Sequence, residues 1–136
     1  MLIRLRARWH YWLGLAYRSR GNSRGDLAAY RDAIAELSQA LLLDPRLAPA
    51  WFTRGMVYWR ELNDYERAVR DFGETLRLDP KHARAALNRG LASVYGQLRT
   101  PEERIADFER YLELGKNGYW RIEAHNQIKR MQAGTL

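Results

Sequence analysis

Arginines and aromatic rings recur together along this chain: Tyr11, Trp12 and Arg18 near the start, Phe52, Trp59 and Arg60 in the middle, Arg84 and Tyr95 further on. These side chains recognise other molecules through stacking, cation–π contact and charge-assisted hydrogen bonds. Residues suited to catalysis are not grouped in this way. His10, His82 and His125 stand far apart, none with a His, Cys or carboxylate at ligand spacing, and cysteine is absent. No metal, no cofactor and no disulfide is therefore expected. No Ser/His/Asp or Cys/His grouping and no isolated carboxylate pair is evident, so the chain reads as a binder, not an enzyme.

The basic residues concentrate at the ends. Residues 1–43 hold seven arginines against three acids, and residues 116–136 four cations against one, within a formal net charge of +7. Such a balance permits an anionic partner without establishing one. The stretch Arg18-Ser19-Arg20-Gly21-Asn22-Ser23-Arg24 has the composition of a phosphate cradle. It lacks the Lys-Ser/Thr ending of a P-loop and does not follow a strand, so a flexible solvated insertion is the better reading. No apolar run approaches the roughly 18 residues of a membrane span, and no signal-peptide core is visible, which places the chain in the cytoplasm by default.

What must position these side chains is a repeated helical unit. Arg54-Gly55 returns as Arg89-Gly90, Asp71-Phe72 as Asp107-Phe108, and Asp44-Pro45 as Asp79-Pro80, at a period near 35 residues. A period of this size marks stacked units, none of which buries its apolar face alone. Ala33, Leu37, Ala40 and Leu41 keep helical spacing, as do Ala68, Phe72, Thr75 and Leu76. Asp26 and Asn63-Asp64 suit helix starts, and Thr100-Pro101-Glu102-Glu103 reads as a capping box. Helices are predicted over 4–20, 27–43, 47–62, 65–78, 82–98, 102–114 and 119–132. Gly14, Gly55 and Gly90 each fall inside the first helix of a pair. Glycine there costs roughly 1 kcal/mol against alanine, so a close approach by the partner helix is expected, with Ala33 and Ala68 as the facing small residues.

Trp51, Gly55, Tyr58, Ala68, Phe72 and Pro80 together resemble a tetratricopeptide repeat. Leu13, Gly14, Tyr17, Ala33, Leu37, Ala40 and Pro45 carry the resemblance in a first unit, and Leu87, Gly90, Phe108 and Leu112 in a third. It implies an all-α fold: an α-solenoid of three helix-turn-helix repeats, about 7–45, 46–80 and 81–115, with a capping helix about 119–132, all in one domain over 1–136. That last helix, through Trp120, Ala124, Ile128 and Met131, resembles the cap of such arrays, with Arg121, Asn126, Lys129 and Arg130 on a polar outer face. There are departures. The first unit has about seven extra residues at 19–25 and the second has one near Glu61. In the third, Ser93, Arg104 and Tyr111 replace family residues, which predicts looser packing there or a gap filled by Tyr111.

The resemblance also implies that first helices line a concave surface and second helices a convex one. The first would be electropositive and the second electronegative. Arg54 with Asp71, and Arg89 with Asp107, are expected to form ion pairs within their units and so to be spent structurally. The residues expected to face the groove are Tyr11, Trp12, Leu15, Arg18, Phe52, Met56, Trp59, Arg60, Arg84, Leu87, Asn88, Leu91 and Tyr95. Some members of the family clamp C-terminal carboxylates of chaperones with a Lys, Asn and Arg set. The matching places here hold Tyr11, Leu15, Thr53, Arg84 and Asn88, of which only Arg84 and Asn88 could contribute, so that clamp is not expected.

The function these readings imply is a non-enzymatic scaffold or adaptor that holds a protein or peptide partner, possibly acidic, in a basic, aromatic-lined groove. The alternative is RNA or an anionic surface bound through the basic ends; against RNA, the cations form no dense run. Leu2, Ile3 and Leu5 alternate with Arg4, Arg6 and Arg8 at period 2, either as an extended arm or as frayed residues before the first helix. That end is also the expected place for self-association or docking into a larger assembly.

Overall fold

The structure, a computed structural model, describes residues 1–134. Its elements are α1 (Leu2–Arg24), α2 (Leu27–Leu43), α3 (Ala48–Met56) continued by a π turn (Val57–Glu61), α4 (Tyr65–Leu78), α5 (Ala83–Tyr95), α6 (Pro101–Leu114) and α7 (Gly118–Gln132). Among the described residues there is no strand. Consecutive helices pack in chain order from α1 on α2 to α6 on α7, an all-α helical repeat solenoid.

Side chains set the helix starts. Asp26 accepts the Ala28 amide, Asp64 the Arg67 amide and Asn117 the Trp120 amide, each satisfying a donor that the first helical turn leaves orphaned. Thr100 and Glu103 form the expected box, the Glu103 amide donating to Thr100 Oγ1 and the Thr100 amide to Glu103 Oε2. His82 starts α5 in an unexpected way: its Nδ1 accepts the Ala85 amide at 3.1 Å.

Glycine sets the closeness of each pair, but the group it admits is large. A Cβ at Gly14 would lie 2.7 Å from Leu37 Cγ, at Gly55 2.9 Å from Phe72, and at Gly90 3.0 Å from Phe108. The partners expected opposite, Ala33 and Ala68, are buried, yet the glycines exist to seat Leu37, Phe72 and Phe108, all fully buried. Burying a phenylalanine side chain stabilises by about 1.5–3 kcal/mol, which outweighs glycine's helix cost. The third pair is not looser at this point. Tyr111 is buried, Ser93 Oγ donates to the Arg89 carbonyl, and the intruding Arg104 is held by donating Nε to the Leu98 carbonyl.

Three expectations are corrected. The N-terminal residues form neither an extended arm nor a frayed lead into the first helix, because α1 is helical from Leu2 and the Leu5 amide already donates to the Met1 carbonyl. The stretch 19–25 is no solvated loop either. It continues α1 to Arg24, with Gly21 buried where its hydrogen takes the ring of Tyr30, whose hydroxyl donates to Asn22 Oδ1. Gly25, at φ 61°, ends the helix in the left-handed region. The first hairpin is thus lengthened, not looped. Finally, Arg121 does not face outward from α7: its Nη1 donates to the Leu112 and Gly115 carbonyls, closing the C-terminal end of α6.

The single extra residue of the second unit is absorbed by the π turn. There the Leu62 amide reaches back five residues to the Val57 carbonyl at 3.1 Å, and Asn63 takes φ 52° to release the chain into α4. π turns of this kind re-aim side chains without breaking a helix. Here the re-aimed residues are Trp59, Arg60 and Glu61.

Candidate recognition site on the leading helices

The arginines divide into those the fold consumes and those it leaves exposed. Arg54 donates Nε and Nη2 to Asp71 at 2.8 and 2.9 Å, and Nη1 to Ser38 Oγ, tying α3 to both α4 and α2. Arg89 grips Asp107 through Nε and Nη2, and Arg99 joins from the loop after α5. Both expected pairs are therefore present, and Arg99 is a third member that the spacing did not reveal. Burial raises the Asp71 carboxyl, with Arg54 opposing the rise. Arg18, expected to be available, reaches instead to Glu61 at 3.3 Å; burial raises the Glu61 carboxyl, and Arg18 again opposes.

Arg60 and Arg84 are the exposed cations between which the leading helices converge. A cavity of 420 Å³ is lined by Trp59, Arg60, Tyr65, Leu91, Tyr95, Trp120 and Glu123, among others. A second, of 190 Å³, has Met56, Arg60, Arg84, Leu87, Asn88 and Trp120 in its wall. Sharing Arg60 and Trp120, the two adjoin across α3, α5 and α7. The rings of Trp59, Tyr65 and Tyr95 form a cluster with centroids 5.2–6.4 Å apart. Arg84 lies over Phe52 at 5.1 Å from the ring centroid, and the His82 ring packs against the same phenylalanine with centroids 4.5 Å apart. Burial lowers the His82 pKa from its ordinary value, keeping Nδ1 free to accept the Ala85 amide.

The structure thus gathers nine of the thirteen expected residues at or beside these cavities: Phe52, Met56, Trp59, Arg60, Arg84, Leu87, Asn88, Leu91 and Tyr95. Five of them, Met56, Trp59, Leu87, Asn88 and Leu91, are buried and pack the core as much as they line the walls. Tyr11, Trp12, Leu15 and Arg18 line neither cavity. Trp12, 62% exposed, falls on an outward row of α1 with Leu2, Leu5 and Trp9. Residues missed are Tyr65, Tyr119, Trp120 and Glu123. The sequence marks Trp120 only as a residue of the capping helix, and Tyr119 only by its place beside it. Of the five clamp positions, Thr53 is buried and Asn88 gives its amide to the Arg84 carbonyl, which leaves Arg84 as an exposed cation. Of four buried polar atoms without a partner among the described residues, Arg18 Nε, Trp59 Nε1 and Glu61 Oε2 belong to the π turn and the arginine that reaches it, and Gln127 Oε1 to α7.

Aromatic faces, exposed guanidinium groups and half-open cavities can grip a chain segment. Among the described residues no group of three His, Cys, Asp or Glu could hold a metal ion, and no helix is long and apolar enough to cross a membrane. Residues 60–118 match the family model of the tetratricopeptide repeat. That stretch is similar to the tetratricopeptide repeat, and the chain as a whole shares the fold of tetratricopeptide repeat domains. No match was found among curated proteins. Among solved structures, the TPR domain of Arabidopsis OM64 superposes with a TM-score of 0.78 at 20% identity, covering 94% of this chain and 98% of that one, a likeness of fold. The first TPR domain of human RPAP3 gives 0.71 at 25% identity, covering 90% and 94%. The first TPR of Spaghetti (RPAP3), bound to the HSP90 peptide SRMEEVD, gives 0.68 at 26% identity, covering 91% and 96%. Tetratricopeptide repeats are protein-interaction scaffolds, and this chain has their architecture.

Proposed function

We propose that this chain is a scaffold or adaptor that holds a segment of an acidic partner protein in the groove formed by α3, α5 and α7. The observation that carries the reading is the pair of adjoining cavities joined by Arg60 and Trp120, with Arg84 and the Trp59–Tyr65–Tyr95 cluster at either end. Rings supply buried area at small entropic cost, and the two arginines supply sign selectivity and a faster encounter. The Spaghetti relative, bound to a peptide whose sequence ends in Glu-Glu-Val-Asp, supports an acidic segment as the cargo. The clamp positions differ here, so the contact is expected to run through Arg60, Arg84 and the rings, not through a terminal carboxylate alone.

A display library of acidic, neutral and basic peptides tests this. Acidic peptides with an aromatic or aliphatic anchor should be enriched, and Arg60→Glu with Arg84→Glu should weaken them at least ten-fold with helicity unchanged. Unaltered binding after both reversals removes the groove from consideration.

A further inference from the structure

Helix α1 is apolar on two opposed faces. Ala7, Gly14 and Gly21 are buried on one, seven residues apart, where α1 meets α2. Leu2, Leu5, Trp9 and Trp12 follow at intervals of three, four and three, about half a turn away at 3.6 residues per turn. They are 75%, 56%, 63% and 62% exposed. Four large apolar side chains in one row exceed the scattered exposure of an ordinary surface.

The solenoid itself says what kind of element such a row receives. α3 packs against α2 as well as α4, α5 against α4 as well as α6, and α7 against α6. Each later leading helix is thus covered by the second helix of the unit before it. Among the described residues nothing covers α1 in this way. Charge then selects the occupant. α1 contains six arginines and no acid. Arg6 and Arg8 flank the row on either side of Trp9. A second copy docking α1 on α1 along this row would oppose Arg6 and Arg8 of one copy to those of the other, and stacking end to end would bring α1 against α7, which holds Arg121, Lys129 and Arg130 with only Glu123. Like charges across an interface cost several kcal/mol and select against the pairing.

We infer that the outward face of α1 is a second docking surface, separate from the groove, that receives an amphipathic helix with acidic flanks from a partner protein. The helix takes the place of a preceding second helix, its apolar stripe on Leu5, Trp9 and Trp12 and its carboxylates on Arg6 and Arg8. In the groove the cargo lies across three leading helices; here it lies along one.

The probes are two synthetic helical peptides of about four turns, with leucine at heptad a and d positions and either glutamate or lysine at the flanking ones. Binding of each to the full chain is followed by fluorescence anisotropy at physiological salt. The glutamate peptide is expected to bind at least ten-fold tighter than the lysine peptide. Trp9→Glu with Trp12→Glu should abolish that binding while circular dichroism stays unchanged. Arg60→Glu with Arg84→Glu should leave it intact, which separates this surface from the groove. Equal affinity for the two peptides, or no binding of either, overturns the inference. So does a dimer in analytical ultracentrifugation that the Trp9/Trp12 variant disperses, which assigns the face to a second copy. Flotation with phosphatidylserine vesicles, lost in that variant without any binding of the glutamate peptide, assigns it to a membrane surface and equally overturns the partner helix.

Discussion

Replacing Asp71 by alanine leaves the Arg54 guanidinium deep in the seam between α2, α3 and α4 without its principal partner. Two charge-assisted bonds are lost, each with a net worth of about 1.5–3 kcal/mol. The Arg54 side chain keeps its contact to Ser38 and is 18% exposed, so it recovers part of its solvation. About 3 kcal/mol of destabilisation remains, at the low end for a buried pair broken on one side. With a urea slope of about 1.5 kcal/mol per molar, the unfolding midpoint falls by about 2 M, read by far-ultraviolet circular dichroism. Glu74→Ala breaks the pair with Arg77 on the outside of the same helix, where both partners are partly exposed. It should move the midpoint by no more than about 0.3 M. Adding Arg54→Met to Asp71→Ala should restore at least half the loss, since the penalty is the stranded charge and not the missing bond. The reasoning is refuted if Asp71→Ala shifts the midpoint no more than Glu74→Ala, or if the double variant is as weak as the single.

Gly55→Leu should lower stability by about 3 kcal/mol, because a side chain there meets the fully buried Phe72 ring and Asp71 Cβ; Gly118→Ala, with nothing within 4 Å, should leave the thermal midpoint unchanged or slightly raised. The pH dependence of His82 has a definite sign. Its folded pKa is depressed, so the neutral cap contributes fully above the ordinary value near 6.5 and is lost as pH falls through the lower folded value. His82→Asn keeps an accepting side chain that does not titrate. Between pH 7.5 and pH 5 it should therefore lose less stability than the parent in urea titrations; parallel losses would exclude His82 as the titrating cap.

The repeat was legible because it is written in residues with few alternatives. Glycine inside a helix, Asp-Phe on the facing helix and Asp-Pro at the junctions each have one economical explanation, and α2 and α4 fall where their spacing and caps place them. The N-terminal stretch was less legible because Leu2, Ile3 and Leu5 fit a period of two over so short a run; the helical row shows only when Trp9 and Trp12 are included. Ser19 to Gly25 has a loop's composition, and only Tyr30, eleven residues beyond Ser19, converts Gly21 into a packing site. The groove was harder still. Whether Trp59, Leu87 or Leu91 faces solvent or core depends on how one hairpin rotates onto the next, which no single helix encodes. Tyr65 and Trp120 reach the site from α4 and α7, elements whose local pattern assigns them to other faces.

The π turn at Val57–Glu61 also bears on how such a chain can change over evolutionary time. One inserted codon would rotate every downstream side chain of an uninterrupted helix by about 100° and scramble its contacts. Because the surplus is swallowed within a single widened loop of backbone, the modules on either side stay in phase. A lineage can thereby acquire a new presentation of Trp59 and Arg60 in one mutational step, leaving the packing of Gly55 on Phe72 and of Gly90 on Phe108 undisturbed.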